Sequence, residues 1–217
     1  MDVALTSTRF VDADSPVVRD FVAAHAGDGD DVSTAVNLYY ALRDAVAYDM
    51  RTFGLDADQF VASRVLQATS AFCVPKAVAL AAVARAAGIP SRIGFANVRN
   101  HLTSPKLAAM MDGDVFRWHA YTSLFLDGKW VKATPAFDLA LCERHGVAPL
   151  DFDGRADSIF QPFDQAGRPH MEYVDFIGEF DDLPFEAFSA DMRRHYPRML
   201  EALENDRAAR ATQGPDS

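Results

Sequence analysis

The chain has 217 residues, of which 49% are hydrophobic and 24% are charged, a composition that provides a sizeable apolar core and excludes a disordered protein. Its 21 Lys and Arg against 31 Asp and Glu give a formal net charge of −10, which argues against a nucleic-acid partner because phosphate binding needs a concentrated basic surface. The sequence has no apolar run as long as a membrane span and no signal-peptide pattern at its N-terminus, so we expect no membrane association and a cytoplasmic location.

Two amphipathic helices are predicted near the N-terminus. Ser15 before Pro16 is typical of a helix start, and this helix is expected to reach about Ala26. The second helix is expected to run from Ser33 to Ala45. Its apolar side is formed by Val36, Tyr39, Tyr40 and Leu42. We interpret the two tyrosines as packing residues.

A third, more apolar helix is predicted in the stretch from Ser70 to Pro90, with Cys73 in its first turn. Ser70 is a candidate N-cap, and Gly88 followed by Pro90 is typical of a helix end. Small and apolar residues recur at helical spacing in Ala77, Leu80, Ala81, Ala84 and Ala87. This pattern predicts a buried helix that neighbouring elements approach closely.

Cys73 has two interpretations. A cysteine in the core is commonly a small apolar packing residue. At a helix N-terminus, unpaired N–H groups favour the thiolate and could also hold an oxyanion, so a cysteine there can act as a nucleophile. The nucleophile interpretation requires a histidine elsewhere in the chain.

The segment that follows supplies that histidine. A strand is predicted over Ser91 to Asn97, and a hairpin over His119 to Ala133 turns at Asp127-Gly128. Alternation puts His119 and Tyr121 on one face of a strand that is apolar on both faces, so we expect this strand to be central in an antiparallel sheet, with the cysteine helix covering the face of His119. The polar insertion from Asn100 to Phe116 is typical of a lid or a substrate wall.

The order of these motifs resembles the transglutaminase-like superfamily of papain-like cysteine enzymes. The motifs are the cysteine at a helix start, RAAGIPSR at its end, HAY in a strand, and DGKWVKATPAFD closing the hairpin. The resemblance covers about Val32 to Asp138 and implies a catalytic Cys73 and His119. We expect these two to form an ion pair that lowers the pKa of the thiol to about 3.5–7.5.

The chain departs from the family pattern at two positions. Ala71 replaces a glycine before the cysteine, and Thr134 stands where members carry the aspartate that orients the histidine. Asp138, the next acid, could orient His119 or could cap a helix that begins near Leu139. Thr134 could itself accept the imidazole N–H.

Three further residues are weaker site candidates. Gln67, six residues before Cys73, is a candidate for the oxyanion site or for a solvated loop position. Trp118 and Tyr121 are candidates for the pocket. With two cysteines, no zinc-binding spacing and no phosphate-binding glycine motif, the sequence predicts no disulfide, metal or other cofactor.

The part after Asp138 lies outside the resemblance. It is expected to contain a short helix over Leu139 to Gly146, an edge strand over Pro169 to Ile177 and a helix over Phe185 to Ala209. We interpret residues 139–209 as an extension and 210–217 as a frayed tail of a single domain whose core spans about 32–138.

The sequence therefore predicts one α+β, papain-like domain over residues 1–217. Its expected activity is cysteine-dependent acyl transfer on a peptide, protein or small amide substrate, with hydrolysis preferred over transamidation because the chain is small. The alternative is a catalytically silent module of the same fold that binds a peptide or protein, which the absence of an aspartate at position 134 favours. Nothing in the sequence indicates an oligomeric state.

Overall fold

A computed structural model of the chain describes residues 3–101, 103, 105–111, 113–159 and 171–212. The α-helices of this part are α1 (Pro16–His25), α2 (Asp31–Ala45), α3 (Ala62–Val65), α4 (Cys73–Ala86), α5 (Pro105–Met111), α6 (Leu139–His145), α7 (Phe185–His195) and α8 (Pro197–Thr212). The strands are β1 (Ala47–Tyr48), β2 (Ser70–Ala71), β3 (Ser91–Asn100), β4 (Val115–Leu126), β5 (Lys129–Ala133) and β6 (Met171–Phe180). Among these helices, none has the length and the apolar character needed to cross a bilayer.

The main sheet is antiparallel, with strand order β5-β4-β3-β6. The strand that carries His119 is therefore central, as the sequence predicts, and β6 is the predicted edge strand. Asp127 and Gly128 both have positive φ, 49° and 80°, which suits the two-residue turn between β4 and β5. Helices packed on an antiparallel sheet confirm the predicted α+β class.

Helix α4 is the centre of the core. All of its residues from Val74 to Arg85 are buried, and it packs against α1, α2, α3, β3 and β4. The hydroxyl of Thr122 donates to the carbonyl of Ala77 at 2.8 Å, so α4 covers the face of β4 that bears Thr122. The expectation that α4 covers the face of His119 is wrong, because alternation puts His119 on the opposite face.

Three predicted boundaries are also corrected. Ser70 is not the N-cap of α4 but pairs with Ala47 in the parallel β1–β2 ladder, and Phe72 is the residue before the helix. His119 lies inside β4 rather than at its start. The long C-terminal helix is divided at Pro197, because a proline lacks the N–H that would continue α7. Its second part, α8, extends to Thr212, into the predicted frayed tail, of which 213–217 lie outside the described residues.

Candidate active site

A cavity of about 1030 Å³ opens at the N-terminal end of α4 and is bordered by both Cys73 and His119. Its walls come from parts of the chain that are far apart in sequence. They include Tyr48 in β1, Trp118 in β4, and Tyr196 at the junction of α7 and α8. A cavity of this size is typical of a site for a small ligand or a peptide side chain.

Cys73 is the first residue of α4 and is partly exposed. The backbone N–H groups of Ala120, which follows His119 in β4, of Val74 and of Cys73 itself act to lower the pKa of the thiol. Burial outweighs these three donors and raises the pKa of the thiol to about 11. The N–H groups at the helix start favour the thiolate, as the sequence predicts, but the burial of Cys73 disfavours the thiolate by more.

His119 is 6% exposed, and burial lowers the pKa of its imidazole to about 3. The resting site therefore contains a neutral thiol and a neutral imidazole. The expected thiolate–imidazolium ion pair is the opposite charge state, and the sequence could not reveal the difference because it arises from the burial of both groups.

Asp138 does not contact His119. Its Oδ1 accepts the N–H of Leu141 at 2.9 Å and caps α6, and its Oδ2 accepts the N–H of Tyr48 at 2.7 Å. Burial acts to raise the pKa of this carboxyl, but the two amides and the charge of Lys76 outweigh it and lower the pKa. Of the two roles considered for Asp138, the structure shows the helix cap, because both oxygens already have backbone donors.

Thr134 is 1% exposed, and its hydroxyl has no hydrogen-bond partner among the described residues. It lies two residues after Lys132, which pairs with Ser123 on the His119 side of the hairpin. Thr134 is therefore on the side where an orienting group is required, but its hydroxyl does not bond to the imidazole in this conformation.

Of the three weaker site candidates, only Trp118 borders the cavity. Trp118 borders the cavity, whereas Tyr121 lies away from it, over Gly94, and donates to Glu179 at 3.3 Å. Gln67 is exposed in the turn after α3 and is not part of the cavity wall, which is the solvated loop position considered for it.

The backbone just before His119 is locally irregular. Trp118 has φ 57°, and the β3–β4 register shifts between Ala96 and Val98. A bulky residue with positive φ is rare, so it must be held by its surroundings. The indole of Trp118 donates to Asp191 at 2.8 Å, and its backbone N–H donates to Asn97 at 3.2 Å. These contacts fix the direction in which β4 presents His119.

Lys76 supports the site and was not singled out in the sequence. It is fully buried in α4, and its Nζ donates to the carbonyls of Arg43 at 2.8 Å and Val46 at 2.5 Å. These bonds join the first turn of α4 to the end of α2, where the last carbonyls of a helix lack partners. The signal that could have indicated this role is a single lysine in the apolar first half of α4.

The C-terminal helices close one side of the cavity. Phe188, Met192, Tyr196 and Met199 all border it. The hydroxyl of Tyr196 donates to the carbonyl of Val115 at 2.9 Å and accepts the N–H of Arg117 at 2.6 Å. The sequence predicts a helix here but not that it forms part of the site.

No group of three or more His, Cys, Asp or Glu within the described ranges is arranged to hold a metal ion. The site that these ranges do show is a cysteine, a histidine and backbone amides beside an enclosed space. Those groups suit nucleophilic chemistry on a carbonyl carbon.

Comparison with known proteins gives one family. The model of the transglutaminase-like superfamily matches residues 19–135, a range that contains Cys73, His119 and Thr134 but not Asp138. A crystal structure from Cytophaga hutchinsonii described as "a Putative Cysteine Protease" is similar, with 16% identity, 61% of this chain covered and a TM-score of 0.45. This chain covers 40% of the length of that protein. None of the curated proteins matches the chain.

Proposed function

The chain belongs to the transglutaminase-like superfamily, and from that premise we propose that it is a cysteine-dependent acyl-transfer enzyme that acts on an amide or peptide bond. The observation that carries the proposal is the position of the Cys73 thiol, at the start of α4, on the same cavity as His119. Both candidate catalytic side chains border one cavity, in which an acyl donor would meet them.

In the proposed reaction, Sγ of Cys73 attacks the carbonyl carbon of the substrate while His119 accepts the thiol proton. The carbonyl oxygen becomes an oxyanion, which N–H groups at the start of α4 stabilise. The C–N bond then breaks, the leaving amine takes the proton from His119, and a thioester remains on Cys73. Water then attacks the thioester carbon and gives a proton to His119, the C–S bond breaks, and the proton returns to Sγ of Cys73 as the acid is released. The net reaction is hydrolysis; an amine as acceptor would give transamidation.

The neutral resting state is compatible with this scheme. A general base must be unprotonated before it can accept a proton, and burial keeps His119 in that form at neutral pH. The thiolate then forms only as the substrate is attacked. Asp138 is proposed as a positioning residue that acts through β1 and α6, since its oxygens bind Tyr48 and Leu141.

A binding module without catalysis is the second candidate, and a specific observation favours it. The carboxylate of Asp138 is directed at backbone amides, and residue 134 is a threonine. His119 therefore has no carboxylate from either position to stabilise its protonated form, which an efficient cysteine enzyme uses.

Acylation of the cysteine distinguishes the two candidates. The protein is mixed with p-nitrophenyl acetate, p-nitrophenol release is followed by absorbance, and the acetylated peptide is identified by mass spectrometry. We expect an initial burst and an acetyl group on Cys73, with no burst in Cys73→Ala and an unchanged burst in Cys142→Ser. Absence of the burst, or equal acetylation of both cysteines, would favour the binding module. Added hydroxylamine then reports whether an amine competes with water for the thioester.

A further inference from the structure

The charged residues that border the cavity are unevenly distributed. Three are arginines, Arg51, Arg117 and Arg144, whereas Asp49 is the one carboxylate among the described residues of the wall. This excess of positive charge occurs in a chain whose formal net charge is −10. The described residues of the cavity wall therefore carry a net positive charge, whereas the chain as a whole carries a net negative charge.

One of these arginines already has its partner. Arg51 and Asp49 form an ion pair at 2.9 Å, with further hydrogen bonds from the Arg51 side chain to the same carboxylate. The guanidinium groups of Arg117 and Arg144 form no ion pair or hydrogen bond with any part of the chain that the structure describes. Within the described residues, two positive charges at the cavity thus have no ion-pair partner.

These two arginines come from different elements. Arg117 is in β4, two residues before His119, and is partly exposed, whereas Arg144 is in the last turn of α6 and is exposed. Guanidinium groups bind carboxylates through paired N–H donors and stay charged at every physiological pH. Positive charges at a cleft also raise the local concentration of anions, by a factor of about 10–1000 in favourable cases.

Much of the cavity wall is apolar and adaptable. Five methionines from separate parts of the chain border the cavity: Met50, Met111, Met171, Met192 and Met199. Methionine side chains are flexible and polarizable, so a surface rich in them accommodates apolar groups of varied shape. This wall suits an aliphatic or aromatic segment of a substrate.

We propose that the cavity selects acyl donors that carry a carboxylate together with an apolar segment. The carboxylate binds at Arg117 and Arg144, the apolar segment lies on the methionine wall, and the scissile carbonyl reaches Cys73. This inference deepens the proposed function and rests on it, because it names the substrate class of the same site.

Two alkylating reagents of similar size test this substrate class without knowledge of the natural substrate. Iodoacetamide is neutral and iodoacetate carries a carboxylate, and both lose iodide when the thiolate of Cys73 attacks the CH₂ carbon. The rate of each reaction at Cys73 is measured by mass spectrometry at pH 8.5, with Cys142→Ser as the background. Glutathione, treated in parallel, gives the ratio of the two rates for a small thiol in solution.

We expect the iodoacetate-to-iodoacetamide ratio at Cys73 to exceed that of glutathione by about tenfold or more. The ratio should fall toward that of glutathione in Arg117→Met and Arg144→Met, because each variant removes a charge that attracts iodoacetate but not the neutral reagent, and Arg117→Lys should keep part of the preference. Arg19→Met changes an exposed arginine on α1, away from the cavity, and should leave the ratio as it is. Added salt should reduce the ratio in the wild type.

The two proposals fail in different ways. Labelling of Cys73 by iodoacetamide with a ratio equal to that of glutathione, unchanged in both arginine variants, would overturn the substrate class and leave the acyl-transfer proposal in place. If neither reagent labels Cys73, both the substrate class and the acyl-transfer proposal are overturned. Both arginine side chains lack described partners, so circular dichroism should show that each variant folds as the wild type does.

Discussion

Tyr48 and Asp138 are joined by a hydrogen bond of 2.7 Å from the backbone N–H of the tyrosine to Oδ2 of the aspartate. The other oxygen of Asp138 caps α6 through Leu141, so one carboxylate connects β1 to α6. Because β1 pairs with β2, which leads through Phe72 into Cys73, this connection helps to fix the position of Cys73. It also occupies the acid that the sequence offers as a partner for the histidine.

The first prediction concerns the role of Asp138. Asp138→Ala should lower the free energy of unfolding by about 1–3 kcal/mol, because it removes a helix cap and leaves a second backbone amide without its acceptor. Asp138→Asn should lose less, since an asparagine can still cap. Urea denaturation measures both. Asp30→Ala, which removes the exposed cap of α2, is the matched control and should cost only the cap. A fall in Cys73 alkylation in Asp138→Asn without loss of stability would instead assign this carboxylate to His119.

The second prediction concerns acid sensitivity. The pKa of His119 is about 3 in the folded protein and about 6.5 in an unfolded chain. Below pH 6.5 the unfolded chain binds a proton that the folded protein does not, so stability is complete above this pH and is lost as pH falls toward 3. The slope from this one group is at most about 1.4 kcal/mol per pH unit.

Urea denaturation of wild type and His119→Gln at successive pH values tests this. The variant should lose stability less steeply between pH 6.5 and 4, since it lacks the group that must become charged. His25→Gln, an exposed position on α1, should follow the wild type. Identical slopes for wild type and His119→Gln would contradict the neutral, buried imidazole.

The third prediction is the pH profile of Cys73. With a thiol pKa of about 11, the alkylation rate by iodoacetamide should rise about tenfold per pH unit between pH 7 and 9, because only the thiolate reacts. The measurement uses Cys142→Ser so that one thiol is observed. A rate that is already maximal at pH 6 would indicate the thiolate–imidazolium pair instead.

The fourth prediction restores the family aspartate. Thr134→Asp places a carboxylate on the His119 side of the hairpin, where it should favour the protonated imidazole and hence the thiolate. We expect alkylation of Cys73 at pH 6–7 to increase by about tenfold, which corresponds to one pKa unit, while the free energy of unfolding falls because a charge is buried. Thr134→Asn has nearly the same shape without the charge. Equal rates in the two variants would show that position 134 does not act on the histidine.

Local signals in the sequence were sufficient for most elements of the fold. The proline at the start of α1, the Asp127-Gly128 turn and the small residues of α4 each act over a few neighbouring residues, so their effect can be read without a structure. Cys73 and His119 were singled out from a cysteine at a helix start and from the family resemblance, and both lie in the family-matched range; their catalytic roles stay a prediction.

The partners of the site residues could not be predicted in the same way. Tyr48 is 90 residues from Asp138, and the carbonyls that bind Lys76 are 33 and 30 residues away. The charge state of Cys73 depends on how deeply the thiol is buried, which only the packed structure determines. The face on which His119 lies was mispredicted because both faces of β4 are apolar, so the pattern does not tell them apart.

The wall that α7 and α8 add to the cavity can form only late in the synthesis of the chain. A ribosome makes Cys73 and His119 well before residues 185–199, and domains can begin to fold during synthesis. Until those helices dock, Phe188 and Met192 cannot border the cavity, and Tyr196 cannot bond to the backbone of β4. Before that, the thiol of Cys73 would be exposed to solvent in an open groove. The site would therefore gain its selectivity last, when the C-terminal helices pack against the sheet.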